Sequence, residues 1–144
     1  MKTKTFRSAR VPLFTFESEV MNPIGGTGPQ ADRGASWEAI RKRLCMQPQR
    51  AWQPYADFWV GLEPDEAAPS VAEWLLLAEC LMGRIGAADS LWWAFLHESQ
   101  KGRPHMHITA HLVDSNGSPV GTHFRLGRIN VDGSIRLRNF GSHD

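Results

Sequence analysis

The chain has 144 residues, which is the usual length of one domain, and 42% hydrophobic and 22% charged residues are typical of a folded globular protein. This composition excludes wholesale disorder, and a membrane-spanning helix is excluded because no run of 18 apolar residues occurs. Cys45 and Cys80 fit no metal or redox spacing. We therefore expect a protein of a reducing, cytoplasmic environment.

The net charge of +1 conceals an uneven distribution along the chain. Residues 1–50 carry nine basic and four acidic side chains, residues 51–100 carry one and eight, and residues 101–144 carry six and three. Two basic segments on either side of an acidic one are compatible with a positive face that binds a polyanion. They are equally compatible with ordinary solvated faces.

Turn-forming residues dominate the start of the chain. The stretch 22–29, Asn-Pro-Ile-Gly-Gly-Thr-Gly-Pro, is hard to place in a helix or a central strand. We predict an extended arm over residues 1–35, with one short strand at 11–16, and a folded domain over residues 36–144.

The domain begins with two predicted helices and a strand between them. Apolar residues at helical spacing predict a helix over 36–47, and the run Phe-Trp-Val-Gly-Leu predicts a strand over 58–62. A second helix is predicted over 70–85, because Ser70 and Glu73 have the spacing of a capping box and Gly86 follows the last apolar residue.

The rest of the chain has the pattern of strands. A nearly continuous apolar run predicts a strand over 90–98, and alternation predicts another over 105–113. Asn116-Gly117 and Asp132-Gly133 are hairpin signals, so strands are also expected over 120–126 and 134–140. The predicted fold class is α+β, with a central antiparallel sheet and both helices packed on one face.

Three histidines fall at the facing ends of the two strands before the first hairpin signal. His105 and His107 are alternate residues of one strand and therefore point to the same side. If the strands pair antiparallel, the short link after His97 brings it beside His105. Three imidazoles then meet at one point, a ligand set that suits Zn, Cu, Ni, Fe or Mn. The alternative is that they are ordinary polar residues on a sheet face.

The order of these segments resembles the core of the relaxase and mobilisation nucleases, which belong to the His-hydrophobic-His endonucleases. The resemblance covers roughly residues 36–120, and the spacing of the three histidines is its most specific part. The matching segments are Phe-Trp-Val-Gly-Leu-Glu-Pro-Asp-Glu at 58–66, the helix 70–85 with Gly86, the strand that ends in His97, Pro-His-Met-His-Ile at 104–108, and Val-Asp-Ser-Asn-Gly at 113–117.

The resemblance implies a relaxase-like, metal-dependent single-stranded DNA endonuclease of the plasmid mobilisation type. It implies that His97, His105 and His107 hold a divalent ion, Mg or Mn, and that a tyrosine attacks the scissile phosphate. Glu98 and His111 are the outer-shell candidates. The implied partners are single-stranded DNA at a transfer-origin-like site and accessory mobilisation proteins.

The nucleophile is the point at which the chain departs from the family pattern. Such nucleases carry their tyrosine near the N-terminus, and the only tyrosine here is Tyr55. Three alternatives stay open: a nickase that uses Tyr55, a hydrolytic nuclease that uses metal-activated water, and a catalytically inactive module that only binds DNA. A DNA-binding or protein-interaction module with incidental histidines is the rival from another class.

Basic side chains near the histidines and on the first helix are the candidates for contacts with DNA phosphates. The candidate residues are Arg41, Lys42, Arg43, Lys101 and Arg103, with Arg125, Arg128, Arg136 and Arg138 near the C-terminal end.

Overall fold

A computed structural model describes residues 1–8, 23–27, 42, 44, 54–98, 103–114, 116–120, 124–129 and 135–139. Among them lie seven strands and one fully bounded helix. The strands are β1 (Lys2–Ser8), β2 (Pro23–Gly26), β3 (Tyr55–Gly61), β4 (Leu91–Glu98), β5 (Pro104–His111), β6 (Phe124–Ile129) and β7 (Ile135–Asn139), and the helix is α1 (Val71–Arg84).

The core of the fold is a five-stranded sheet with the order β1-β3-β5-β4-β2, in which every neighbouring pair is antiparallel. A separate antiparallel pair is formed by β6 and β7. The structure thus confirms an α+β fold with a central antiparallel sheet. It also confirms that β4 and β5 pair antiparallel, and it places β5 in the middle of the sheet.

The helix α1 begins and ends as its sequence predicts. The Ser70 side chain accepts from the Glu73 backbone N–H, and the Glu73 carboxylate accepts from the Ser70 backbone N–H, so the capping box is formed. At the other end Gly86 has a φ of 80°, and the N–H groups of Gly86 and Ala87 donate to the carbonyls of Gly83 and Met82.

One face of the sheet is filled by this helix. The buried α1 residues are Trp74, Ala78, Leu81 and Met82. They belong to a single apolar cluster with alternate residues of β3 and β5, among them Phe58, Val60, Met106 and Ile108. Side chains alternate along a strand, so the residues between these point to the opposite face of the sheet.

The two edge strands come from the segment predicted as an extended arm. β1 lies beside β3 and β2 beside β4, so parts of residues 1–35 complete the same sheet that carries the histidines. Backbone pairing with a neighbouring strand holds these short segments in the sheet. This includes Gly25 and Gly26, which have no side chain to pack. The predicted strand at 11–16 lies outside the described residues.

The prediction that both helices pack on one face is wrong for the residues described. Lys42 and Leu44 are helical, as expected for 36–47, and Leu44 is buried. The Tyr55 hydroxyl donates to the Leu44 carbonyl at 3.1 Å, and Tyr55 points away from the face that holds α1. The parity of Tyr55 in β3 therefore places this helical turn on the opposite face.

The first predicted hairpin is only partly formed. The Asp114 side chain accepts from the backbone N–H groups of Asn116 and Ser118, and the chain returns with one isolated bridge between Val113 and Pro119. A backbone hydrogen bond lies on each side of this bridge, since the Asp114 N–H donates to the Ser118 carbonyl and the Val120 N–H donates to the Leu112 carbonyl. The next strand, β6, begins at Phe124 rather than at 120.

Candidate metal centre

Three histidines lie together at one end of the sheet, on the face that α1 leaves uncovered. His105 and His107 are alternate residues of β5, and His97 of β4 is directly opposite His105 in the register. The pairing that the sequence predicts for these residues is confirmed. Their positions follow from strand alternation and from the antiparallel register of β4 and β5.

The His105 ring contacts the rings of both His97 and His107. The distance between His97 Nδ1 and His105 Nε2 is 3.2 Å. The ring centroids are 4.8 Å apart for His97 and His105 and 5.0 Å apart for His105 and His107, each pair meeting edge to face at 71°. All three side chains are half-buried, so the cluster is open to solvent on one side.

The buried Asp57 carboxylate contacts the imidazole of His107, the third histidine of the cluster. Asp57 of β3 is 1% exposed, and its Oδ2 lies 3.3 Å from Nδ1 of His107. Burial raises the pKa of Asp57, and the hydrogen bond and charge of His107 act in the opposite direction. An ionised Asp57 would accept this bond from a hydrogen on Nδ1 of His107, and Nε2 of His107 would then carry the lone pair.

His105 is held in its neutral form. Its pKa is lowered to about 4, mainly by burial and in addition by the charges of the neighbouring His107 and His97. A hydrogen bond to the backbone of Arg103 works against this shift. At neutral pH His105 therefore keeps a lone pair, which is the form of imidazole that binds a metal ion.

The nitrogen positions allow a test of whether a divalent ion fits. For nitrogens about 2.1 Å from a shared ion, two adjacent ligands are about 3.0–3.4 Å apart, and the His97–His105 distance of 3.2 Å falls in that interval. Metal-binding histidines also tend to donate their second nitrogen to a carboxylate or a carbonyl, as His107 does to Asp57. The 3.2 Å separation is thus that of a hydrogen bond between the two rings and also lies within the range for two ligands of one ion.

As they stand, the three histidines do not form a ligand set. Among the residues that the structure describes, no group of three or more His, Cys, Asp or Glu side chains is placed so that it could hold a metal ion. His97 Nδ1 and His105 Nε2 are 3.2 Å apart, and the His107 ring meets the His105 ring edge to face.

Tyr55 does not lie at this cluster. It pairs with His111 at the other end of β5, four residues from His107, which is roughly 13 Å along the strand. Its hydroxyl donates to Leu44, the side chain is 3% exposed, and its ring lies 5.1 Å from the His111 ring. This geometry does not support Tyr55 as a nucleophile or His111 as an outer-shell group, because both are buried away from the three histidines.

The predicted basic residues are only partly described. Arg103 is exposed at the start of β5, next to the cluster, and Lys42 is exposed on the helical turn near Leu44. Arg41, Arg43 and Lys101 lie outside the described residues. Glu98 ends β4 opposite Pro104, and its outer-shell role stays a prediction.

Sequence analysis missed two residues of the site, Asp57 and Trp59. The Trp59 ring lies 5.7 Å from the His105 ring, and the Lys4 ammonium lies 4.9 Å from the Trp59 ring centroid. A usable signal for Asp57 was present, because a single carboxylate inside an otherwise apolar strand requires a partner when it is buried.

Comparison of the chain with protein-family models, with curated proteins and with solved structures found no match. No helix among the described residues combines the length and the apolar character needed to cross a membrane.

Proposed function

We propose that this protein is a relaxase-like, divalent-metal-dependent nuclease domain that acts on single-stranded DNA. The observation that carries the proposal is the cluster of His97, His105 and His107 with Asp57 behind it. Mg²⁺ or Mn²⁺ is the proposed ion. The proposed partners are single-stranded DNA at a transfer-origin-like site and accessory mobilisation proteins.

Each residue of the cluster has a definable task in such a centre. His97 and His105 present two nitrogens at ligand spacing, and Asp57 orients His107 so that Nε2 is presented as the third. A divalent ion bound there supplies a Lewis acid for a phosphodiester oxygen and lowers the pKa of water. Arg103 and Lys4, both exposed beside the cluster, attract the DNA backbone.

The position of Tyr55 favours hydrolysis over transfer of the strand to the protein. Covalent catalysis by tyrosine requires the hydroxyl to reach the phosphorus, and the only tyrosine of the chain is buried against Leu44 and His111. We therefore propose water as the nucleophile. The same observation also favours a second candidate, a relaxase-like module that binds metal and single-stranded DNA without cleaving it.

A cleavage assay separates these candidates. A 5′-labelled single-stranded oligonucleotide is incubated with the protein and Mn²⁺, and the products are separated under denaturing conditions. The proposal predicts cleavage that is lost in His107→Ala, retained in Tyr55→Phe, and free of any protein–DNA adduct. Binding without cleavage would identify the second candidate, and an adduct that Tyr55→Phe abolishes would contradict the water mechanism.

A further inference from the structure

A pocket opens directly beside the histidine cluster, between β1, β3 and the start of β5. Its volume is about 420 Å³, within the range of roughly 300–1,000 Å³ of pockets that hold small ligands. Apolar walls are provided by Trp59, Leu62 and Pro104, and the polar lining includes Lys2, Arg103 and His105. His105 thus belongs to both the candidate metal centre and this pocket.

Trp59 forms the aromatic wall and is held in a defined position. Its six-membered ring lies so close to Gly61 that a Cβ at residue 61 would overlap the ring carbons. On the ring, the Lys4 ammonium lies 4.9 Å from the centroid, and Lys4 is a long, exposed side chain. The aromatic surface is therefore pre-positioned by the strand, and what covers it is a flexible cation that can move aside for a base or pair with a phosphate.

The charges around the pocket are predominantly positive. Lys2, Lys4 and Arg103 lie around it, and the Glu63 carboxylate is close to Lys2, with Oε2 at 3.8 Å from Nζ. An aromatic wall with cations around it is the combination that holds single-stranded nucleic acid: the base stacks on the ring and the backbone follows the positive charges.

We propose that this pocket binds one nucleotide unit of a single DNA strand, with the base against Trp59 and the adjoining phosphate directed towards Arg103. The inference rests on the proposed function for the choice of single-stranded DNA. It adds a specific role for Trp59 and Arg103: they position the strand so that the phosphate next to the bound nucleotide reaches the three histidines.

The test measures the affinity of fluorescein-labelled decathymidylate by anisotropy, in Mn²⁺ and separately in EDTA. Replacement of the stacking ring in Trp59→Leu lowers the affinity about tenfold under both conditions, since stacking needs no metal. Trp59→Phe keeps an aromatic face and retains affinity within about threefold of the wild-type protein.

Arginine variants provide a matched pair of charge changes. Arg103→Gln reduces the slope of log affinity against log salt concentration by about one, because one phosphate contact is lost. Arg84→Gln, the same change on the exposed last turn of α1, leaves this slope unchanged. Melting temperatures of all four variants verify that they are folded, and the Arg103 pair keeps the test valid if Trp59→Leu does not fold.

Three results would overturn the pocket proposal: wild-type affinity in Trp59→Leu, an equal loss in Trp59→Phe, or no binding of the oligonucleotide by the wild-type protein. Failure of the proposed function has a different signature. A wild-type protein that binds decathymidylate through Trp59 but does not bind Mn²⁺ would support the pocket and refute the metal-dependent nuclease.

Discussion

The two faces of the central sheet differ in the polarity of the side chains that β5 contributes to them. On one face, alternate residues of β5, among them Met106 and Ile108, pack with Phe58 and Val60 against the helix α1. On the other face, the intervening β5 residues are all polar: His105, His107, Thr109 and His111. A single strand thus contributes to an apolar core on one side and to a row of polar groups on the other.

The polar face contains buried groups that are costly to leave unpaired. Asp57, Thr109 and Trp93 are cross-strand neighbours on β3, β5 and β4, and each is at most 1% exposed. Asp57 Oδ1, Thr109 Oγ1 and Trp93 Nε1 have no hydrogen-bond partner in the described part of the structure. Such groups reduce stability, and proteins retain them chiefly at functional sites. The two faces thus differ in polarity: the β5 side chains on the α1 face are apolar, and those on the other face carry buried hydrogen-bonding groups.

The largest expected effect is loss of stability on the apolar face. Trp74 is 1% exposed at the centre of the α1 contact, so Trp74→Ala should lower the free energy of unfolding by ~3–5 kcal/mol. The matched control is Leu76→Ala on the same helix, where the side chain is 60% exposed and almost no change is expected. Urea unfolding followed by circular dichroism measures both, and similar losses would show that α1 is not packed as described.

Asp57→Asn should separate function from stability on the polar face. The amide no longer forces the His107 hydrogen onto Nδ1, so Mn²⁺ affinity should fall by about 10–100-fold. Unfolding stability should change little, because a neutral amide costs less to bury than a carboxylate. Calorimetric titration with Mn²⁺ measures the affinity, and Asp89→Asn at an exposed turn is the control. Unchanged affinity in Asp57→Asn would remove Asp57 from the site.

Thr109→Val should make the protein more stable. The substitution keeps the shape of a fully buried side chain and removes a hydroxyl without a partner among the described residues, for an expected gain of ~1 kcal/mol. The reverse change on the apolar face, Val60→Thr, should cost ~1–3 kcal/mol because it buries a hydroxyl among hydrocarbon groups. Equal losses in both variants would mean that the two faces do not differ in the way described.

The last prediction concerns the pH dependence of stability without metal. The pKa of His105 is about 4 in the folded protein and 6.5 for the free side chain, so the unfolded chain binds a proton that the folded one does not. Stability should fall as the pH decreases from 6.5 towards 4. The raised pKa of Asp57 has the opposite effect on stability as the pH falls. This effect is the same in the wild-type protein and in His105→Gln, so it does not alter the comparison. His105→Gln should show a shallower decrease in urea midpoint over this interval, and an identical decrease would contradict the lowered pKa.

Local signals were sufficient for part of this structure. The bounds of α1 follow from a capping box and a terminal glycine that are read within a few residues of the helix. The pairing of His97 with His105 follows from two strands joined by a short link, because a short connection leaves antiparallel pairing as the only arrangement.

The remaining features depend on contacts between distant parts of the chain. Asp57 meets His107 across 50 residues of sequence, and only the adjacency of β3 and β5 reveals it. Likewise β2 is a four-residue edge strand with two glycines, and its order comes from pairing with β4 rather than from a pattern of its own. The remoteness of Tyr55 from the histidines also required the register of β3 against β5.

The central claim is that His97, His105 and His107 bind one divalent ion. The most direct measurement is a Mn²⁺ titration followed by the electron paramagnetic resonance signal of the free ion. We predict one Mn²⁺ bound per wild-type chain, no saturable binding in His105→Ala or His107→Ala, and unchanged binding in His111→Gln at the other end of β5. Wild-type protein without bound Mn²⁺, or equal binding by all four proteins, would contradict the claim.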